Sequence, residues 1–421
     1  MTVDPGEDRL TALRHPDLRR YLTARFLVGM AAQVQTVAVG WQVFSVSGDP
    51  FDLGLVALSQ FLPFILLILP AGHVADRYDR RRVQLATYVI LALCAAILLA
   101  LSLTGIEDLA PVFGVMVLFG IARAFNQPTS QALLPNLAPR EAFPRAVALN
   151  SSLGQIATIA GPALGGVLII VGLEVAYALA TVLLVVGSAL VIGLRGGGRD
   201  EASREPISWS ALVAGITFVR SRPVILGSIS LDLFAVLFGG ATALLPIYAG
   251  EILDVGPAGL GAMRAASAVG AAVLAAVLTV RPLRRHVGRW MFGGVFVFGA
   301  GTIVFGLSTI FLVSLAALVV MGAADMVSVY IRHLLVQLET PDEIRGRVSA
   351  VSAVFIGASN ELGEFESGVT ASWWGIVPAV LVGGAVTIAV GAAWIRLFPV
   401  LWRLDRFPAP RSGEATARIA Q

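Results

Sequence analysis

Continuous apolar runs, each about as long as a bilayer is thick, constrain this chain more than any other feature. Twelve can be counted, near 21–45, 52–75, 83–104, 111–135, 145–170, 173–195, 223–249, 257–281, 289–307, 309–337, 348–370 and 375–398. A spanning helix needs roughly 20 apolar residues, and hydrocarbon leaves no partner for unpaired backbone groups, so runs of this length read as transmembrane helices. The short alternating segments of a transmembrane barrel are absent. With 57% hydrophobic and only 14% charged residues, the 421-residue chain has too few charges for a water-soluble surface of its size. The expected fold class is an all-α membrane protein with 12 transmembrane helices.

The charges fix an orientation. All 30 basic residues are Arg, and with the N-terminus placed inside, every Arg outside the spans falls on that side. The tail contributes Arg9, Arg14, Arg19 and Arg20, and the loop after span two contributes Arg77, Arg80, Arg81 and Arg82. The loop after span eight has Arg281, Arg284, Arg285 and Arg289, and the one after span ten has Arg345 and Arg347. The opposite loops hold acids instead: Asp49, Asp52, Glu107, Asp108, Glu174, Glu251 and Asp254. Both termini are therefore expected in the cytoplasm. No cleaved signal peptide is expected from the polar start.

A polar stretch, Gly196 to Pro206, divides the chain into an N-terminal six-helix bundle (1–195), a cytoplasmic linker (196–222), a C-terminal six-helix bundle (223–398) and a cytoplasmic tail (399–421). Trp209 to Arg222 reads equally as a helix on the membrane surface or as the start of span seven. The halves repeat at an offset of 202 residues, matching Gly120 with Gly322, Arg123 with Asp325, Glu141 with Glu343 and Arg145 with Arg347. Such a parallel repeat builds two pseudo-symmetric bundles around a substrate path.

Two motifs stand out. Between spans two and three lies Gly72-His-Val-Ala-Asp76-Arg77-Tyr-Asp79-Arg80-Arg81-Arg82. Gly72 allows close helix approach, and Asp76 can pair with Arg80 or cap a helix N-terminus. Span five carries Gly154, Gly161, Pro162, Gly165 and Gly166, small residues that permit close packing around a Pro bend. The first string resembles the signature loop of the major facilitator superfamily, G-x-x-x-D-R-x-x-R-R, and the second is similar to the antiporter motif of its exporters. Longer strings, Pro128–Leu137, Arg145–Ser151, Asp232–Pro246, Asp342–Ser349 and Ser359–Glu364, resemble the branch that contains siderophore and multidrug exporters. The resemblance implies the major facilitator fold, a conformational latch at Gly72, Asp76, Arg77, Arg80 and Arg81, and transport in the export direction. The loop Arg281–Gly288 lacks the Gly and acid of the first latch.

Ionisable residues at membrane depth are costly and mark candidate function. They are Arg123, Asp232, Arg264, Asp325, Glu361 and Glu364. Glu361 and Glu364 share one helix face at i,i+3. Proton coupling and a structural ion pair are both open for these residues; by resemblance, Arg123 sits where exporters carry a coupling Arg. Arg25 and Arg332 lie near inner ends and are expected to snorkel to the surface. Gln33, Gln35, Asn126, Asn150, Gln155 and Asn360 are candidates to line a cavity.

Several classes drop out. Without Lys there is no Walker A loop and no Schiff-base chemistry. One Cys, Cys94, cannot form an internal disulfide, and four scattered His suggest no metal site. The expectation is no enzyme and no cofactor: a proton-coupled exporter of a siderophore-like or amphipathic small molecule, monomeric in the bacterial inner membrane, with protons and lipid as partners and no nucleic acid. An importer or uniporter of a metabolite, and a non-transporting receptor or assembly partner, are the alternatives.

Overall fold

The computed structural model describes residues 15–139, 142–196 and 209–408. Among the described residues there is no strand. The first six spans are α1 (Pro16–Ser47), α2 (Pro50–Arg77), α3 (Arg80–Thr104), α4 (Ala110–Leu137), α5 (Phe143–Val171) and α6 (Leu173–Ile192). Local chemistry sets their ends. Pro16 opens α1, and Gly48 closes it in the left-handed region (φ 65°), its N–H donating to the Phe44 carbonyl. Asp79 caps α3, accepting from the backbone N–H of Arg81 at 2.9 Å and of Arg82 at 3.2 Å.

The segment before span seven is a separate helix, α7 (Trp209–Ser221). Arg222 breaks it in an extended conformation because Pro223 follows, and α8 (Pro223–Gly239) starts anew. Toward its C-terminal end α7 is packed: Val219 lies with Ile225, Ile229, Val336, Val348 and Val351. Span seven continues through a 3-10 turn (Ala241–Leu244), the short α9 (Leu245–Ile247) and a π turn (Tyr248–Ile252). Then come α10 (Gly256–Val280), α11 (Val287–Leu307), α12 (Phe311–Glu339), α13 (Asp342–Trp374), α14 (Ile376–Leu397) and α15 (Pro399–Trp402).

Among the described residues, eleven helices are long and apolar enough to span a membrane. The twelfth expected span, 348–370, lies in α13. That helix has 33 residues, about 50 Å, so length is not what separates it from the others. Asn360, Glu361, Glu364 and Glu366 lower its apolarity.

The helices form two compact units. The described parts of the first lie within Met1–Gly48, Ser59–Pro206 and Val255–Ala265, and those of the second within Asp49–Leu58, Ile207–Asp254 and Ala266–Gln421. Lipid supplies no hydrophobic force between helices, so close approach at small residues holds them. In the first unit, a Cβ on Gly120 of α4 would overlap the Gln60 carbonyl of α2. In the second, a Cβ on Gly322 of α12 would overlap the Ser267 carbonyl of α10. A second crossing recurs between equivalent pairs of spans, with Gly166 and Gly368 at the 202-residue offset: Gly166 of α5 abuts Gly261 of α10, and Gly368 of α13 abuts Gly54 of α2. The repeat seen in the sequence therefore recurs as repeated helix crossings.

After the last span the chain stays on the second unit. Leu401 is fully buried with Val287, Met291 and Phe292, and the Gly288 N–H donates to the Leu404 carbonyl at 2.8 Å. Asp405 accepts from the His286 backbone N–H at 3.1 Å, at the start of α11. The segment from 399, expected as a cytoplasmic tail, packs on the unit as far as Phe407, because its Leu and aromatic residues complete the apolar end of the unit.

Candidate functional sites

The loop between α2 and α3 is built around carbonyl caps. Arg81 donates to the Ile192 carbonyl at 2.7 Å and Arg20 to the Gly193 carbonyl at 2.6 Å, so both satisfy the otherwise unpaired C-terminal end of α6. Asp17 accepts from the backbone N–H of Arg195 and Gly196, at 3.0 and 2.8 Å. Arg80 reaches the Ala75 carbonyl at 3.4 Å; Gly72 is buried and Arg77 exposed. The Asp76 side chain lies outside the described residues. Asp79, three residues on, does the capping considered for Asp76.

The small residues of α5 do three different things. Gly161 and Gly165 face α1: a Cβ on Gly161 would come to 2.5 Å of Gln33 Cβ, and one on Gly165 to 3.2 Å of Val34 Cα. Pro162 is buried, and its carbonyl together with Gly166 receives Gly261. Gly154 packs on nothing: no atom lies within 4 Å of a Cβ placed there. It borders a cavity of about 190 Å3 between α1 and α5, lined also by Arg25, Gln33, Asn150 and Thr158. Close packing was the expectation for Gly154; the open face beside it is what the sequence pattern could not reveal.

Of the cavity candidates, Gln33 and Asn150 line this space. Gln35 does not. It is 2% exposed on the packed side of α1, with neither amide atom hydrogen-bonded. Asn126 is tied into a network: Gln84 Nε2 donates to Asn126 Oδ1 at 2.6 Å, and the Ser130 hydroxyl lies 3.0 Å from Gln84 Oε1 and 3.1 Å from Asn126 Oδ1. Tyr21 donates to the Ser130 carbonyl at 2.7 Å, which ties α1 to α4. Gln155 and Asn360 are exposed.

The buried charges separate by environment. Arg123 lies 3.5 Å from Gln60 Oε1 and over the Phe64 ring at 5.6 Å. Arg264 is half-buried in the first unit; Glu361 and Glu364 are half-buried on α13. Asp232 forms an ion pair with Arg332, and Ser328 donates to it at 3.3 Å. Arg332 is 1% exposed, among the largest fully buried side chains. Snorkelling was expected of it, but α12 faces α8 at that level and the guanidinium turns inward to the carboxylate. Asp325, two turns earlier on α12, shares with Asp232 a small cavity lined by Ala235, Val236, Gly294, Val295, Phe298 and Ser328. Among the described residues no cation lies within ion-pair distance of Asp325. Two carboxylates thus border one space beside Arg332, a grouping concealed by sequence separations of 93 and 100 residues from Asp232.

Long apolar helices in repeated sets, with ionisable groups enclosed at membrane depth, define a multi-pass membrane transporter of the major facilitator type. The chain belongs to the transmembrane secretion effector family (MFS_3), which it matches over residues 8–409. It is 27% identical to the enterobactin exporter EntS of Citrobacter koseri, over 94% of each chain. It is 26% identical to the multidrug efflux pump Tap of Mycolicibacterium fortuitum, over 95% of this chain and all of that one. The nucleoside transporter NupG superposes with a TM-score of 0.71 at 14% identity, covering 91% of this chain and 100% of that one. That likeness shows the fold alone. The family and these relatives are transporters, not enzymes, and the chain is a transporter of small molecules in a membrane.

Proposed function

We propose that the chain is a proton-coupled exporter of a siderophore-like or amphipathic small molecule, working by alternating access. It acts as a monomer in the bacterial cytoplasmic membrane, with both termini inside. The loop bearing Gly72, Asp76, Arg77, Arg80 and Arg81 serves as the latch of one conformation. The export direction is supported by EntS and Tap, whose names describe an exporter and an efflux pump.

One observation carries the coupling: Asp232 and Asp325 border the same small cavity beside the single cation Arg332. With a proton on Asp325, the group of Asp232, Arg332 and Asp325 is neutral. When that proton leaves, the group carries one net negative charge in a low-dielectric site. A charge difference of this kind is what lets a proton bias one conformation over another. Asp325 takes the proton, while Asp232 holds Arg332 in place.

Efflux from proteoliposomes, with and without an imposed pH gradient, tests the reading. Asp325→Asn should abolish gradient-driven efflux and leave downhill exchange of substrate intact. Full gradient-driven efflux in that variant would remove Asp325 from the coupling.

A further inference from the structure

The cavity between α1 and α5 has a charge that nothing on its walls balances. Arg25 projects from α1, half-buried, and its Nη1 donates to the Tyr21 hydroxyl at 3.4 Å. No carboxylate pairs with it among the described residues. Arg332, the other Arg expected to snorkel, has Asp232. The remaining polar groups at the cavity are the amides of Gln33 and Asn150 and the hydroxyl of Thr158, which donates to the Gly154 carbonyl at 3.0 Å. Next to Asn150, the polar residues Ser151, Gln155 and Thr158 recur three to four residues apart on α5. Such a stripe suits an aqueous path and not lipid.

We propose that this cavity binds an anionic group of the transported molecule, a carboxylate, sulfonate or phenolate, with Arg25 as the counter-charge and the Gln33 and Asn150 amides as N–H donors. The inference rests on the transporter reading above and adds the substrate's charge. A half-buried guanidinium with no described carboxylate beside it favours an anionic partner, and its planar fork matches a carboxylate or sulfonate in two parallel hydrogen bonds. The amide groups can turn N–H toward the same oxygens. The volume, about 190 Å3, is below the ~300–1,000 Å3 of sites that enclose a whole drug-sized ligand. The cavity therefore takes one end of the molecule, and Gly154 is small because the ligand lies against it.

The test is dye binding to purified protein in phosphatidylcholine nanodiscs, followed by fluorescence anisotropy. Carboxyfluorescein and tetramethylrhodamine ethyl ester share a xanthene core and differ in charge. The wild type should bind the anionic dye saturably and at least about tenfold more tightly than the cationic one, a difference of about 1.4 kcal/mol. Arg25→Gln should remove that preference, and Arg25→Lys should retain it. Gly154→Leu should abolish binding at unchanged melting temperature, since nothing beyond its own helix lies within 4 Å of a Cβ placed there and the added side chain takes up cavity volume. Adding phosphatidylglycerol should leave dye affinity unchanged; competition would assign the site to a lipid headgroup and overturn the proposal. So would preference for the cation, absence of saturable anion binding, or wild-type affinity in Arg25→Gln or Gly154→Leu. Gradient-driven efflux is read separately. Its loss in Asp325→Asn, with anion preference absent, would keep proton coupling and reject this site.

Discussion

At the residue scale, the Asp232–Arg332 pair and Asp325 should answer mutation differently. Removing one member of a buried pair strands the other charge, at a cost of about 3–5 kcal/mol. Asp232→Asn is therefore expected to lower the melting temperature in detergent and the yield of folded protein. Asp325→Asn strands no cation and should melt like the wild type. A thermal scan of both variants checks this; equal destabilisation would mean that Asp325 also holds a structural partner. The individual acids were visible in the sequence because any charge inside an apolar run is conspicuous. Their grouping was not, since Arg332 looks like a residue near a helix end until α8 and α12 are placed side by side. Gly154 and Gly161 are equally indistinguishable by type, and only the neighbouring helix decides that one packs and the other stays open.

At the element scale, spans and loops were legible because hydrocarbon demands long apolar runs and Arg marks one set of ends. The division of α7 from α8 follows from Arg222-Pro223, a signal present in the sequence, where Trp209 to Arg222 read equally as a surface helix or as the start of span seven. The repeated crossings give a sharper forecast. In Gly120→Val and Gly322→Val the added atoms meet backbone carbonyls, which cannot rotate away as a side chain would. Overpacking of this kind costs about 1–3 kcal/mol or more. Both variants should melt well below the wild type, whereas Gly154→Ala should match it. Asp79→Ala should cost about 1 kcal/mol by uncapping α3. The check is a chemical-denaturation midpoint compared with that of Asp79→Asn, which retains a capping oxygen and should lie close to the wild type.

At the scale of the whole molecule, the Arg distribution predicts that the loops at Arg80, Arg285 and Arg345 and both termini share the cytoplasmic side. Single-Cys labelling in a Cys94→Ala background addresses this, and Cys94 is itself fully buried. Positions 80 and 285 should resist an impermeant maleimide in intact cells and react in inverted vesicles; labelling from outside would reverse the topology. The central claim is that outward substrate movement is exchanged for protons. Its most direct measurement is lumenal pH in proteoliposomes preloaded with a transported substrate and a pH-sensitive dye, diluted into substrate-free buffer with membrane potential clamped. The account predicts that substrate leaving the lumen acidifies it in the wild type, and that Asp325→Asn shows no such acidification. A constant lumenal pH in the wild type while substrate leaves would contradict it.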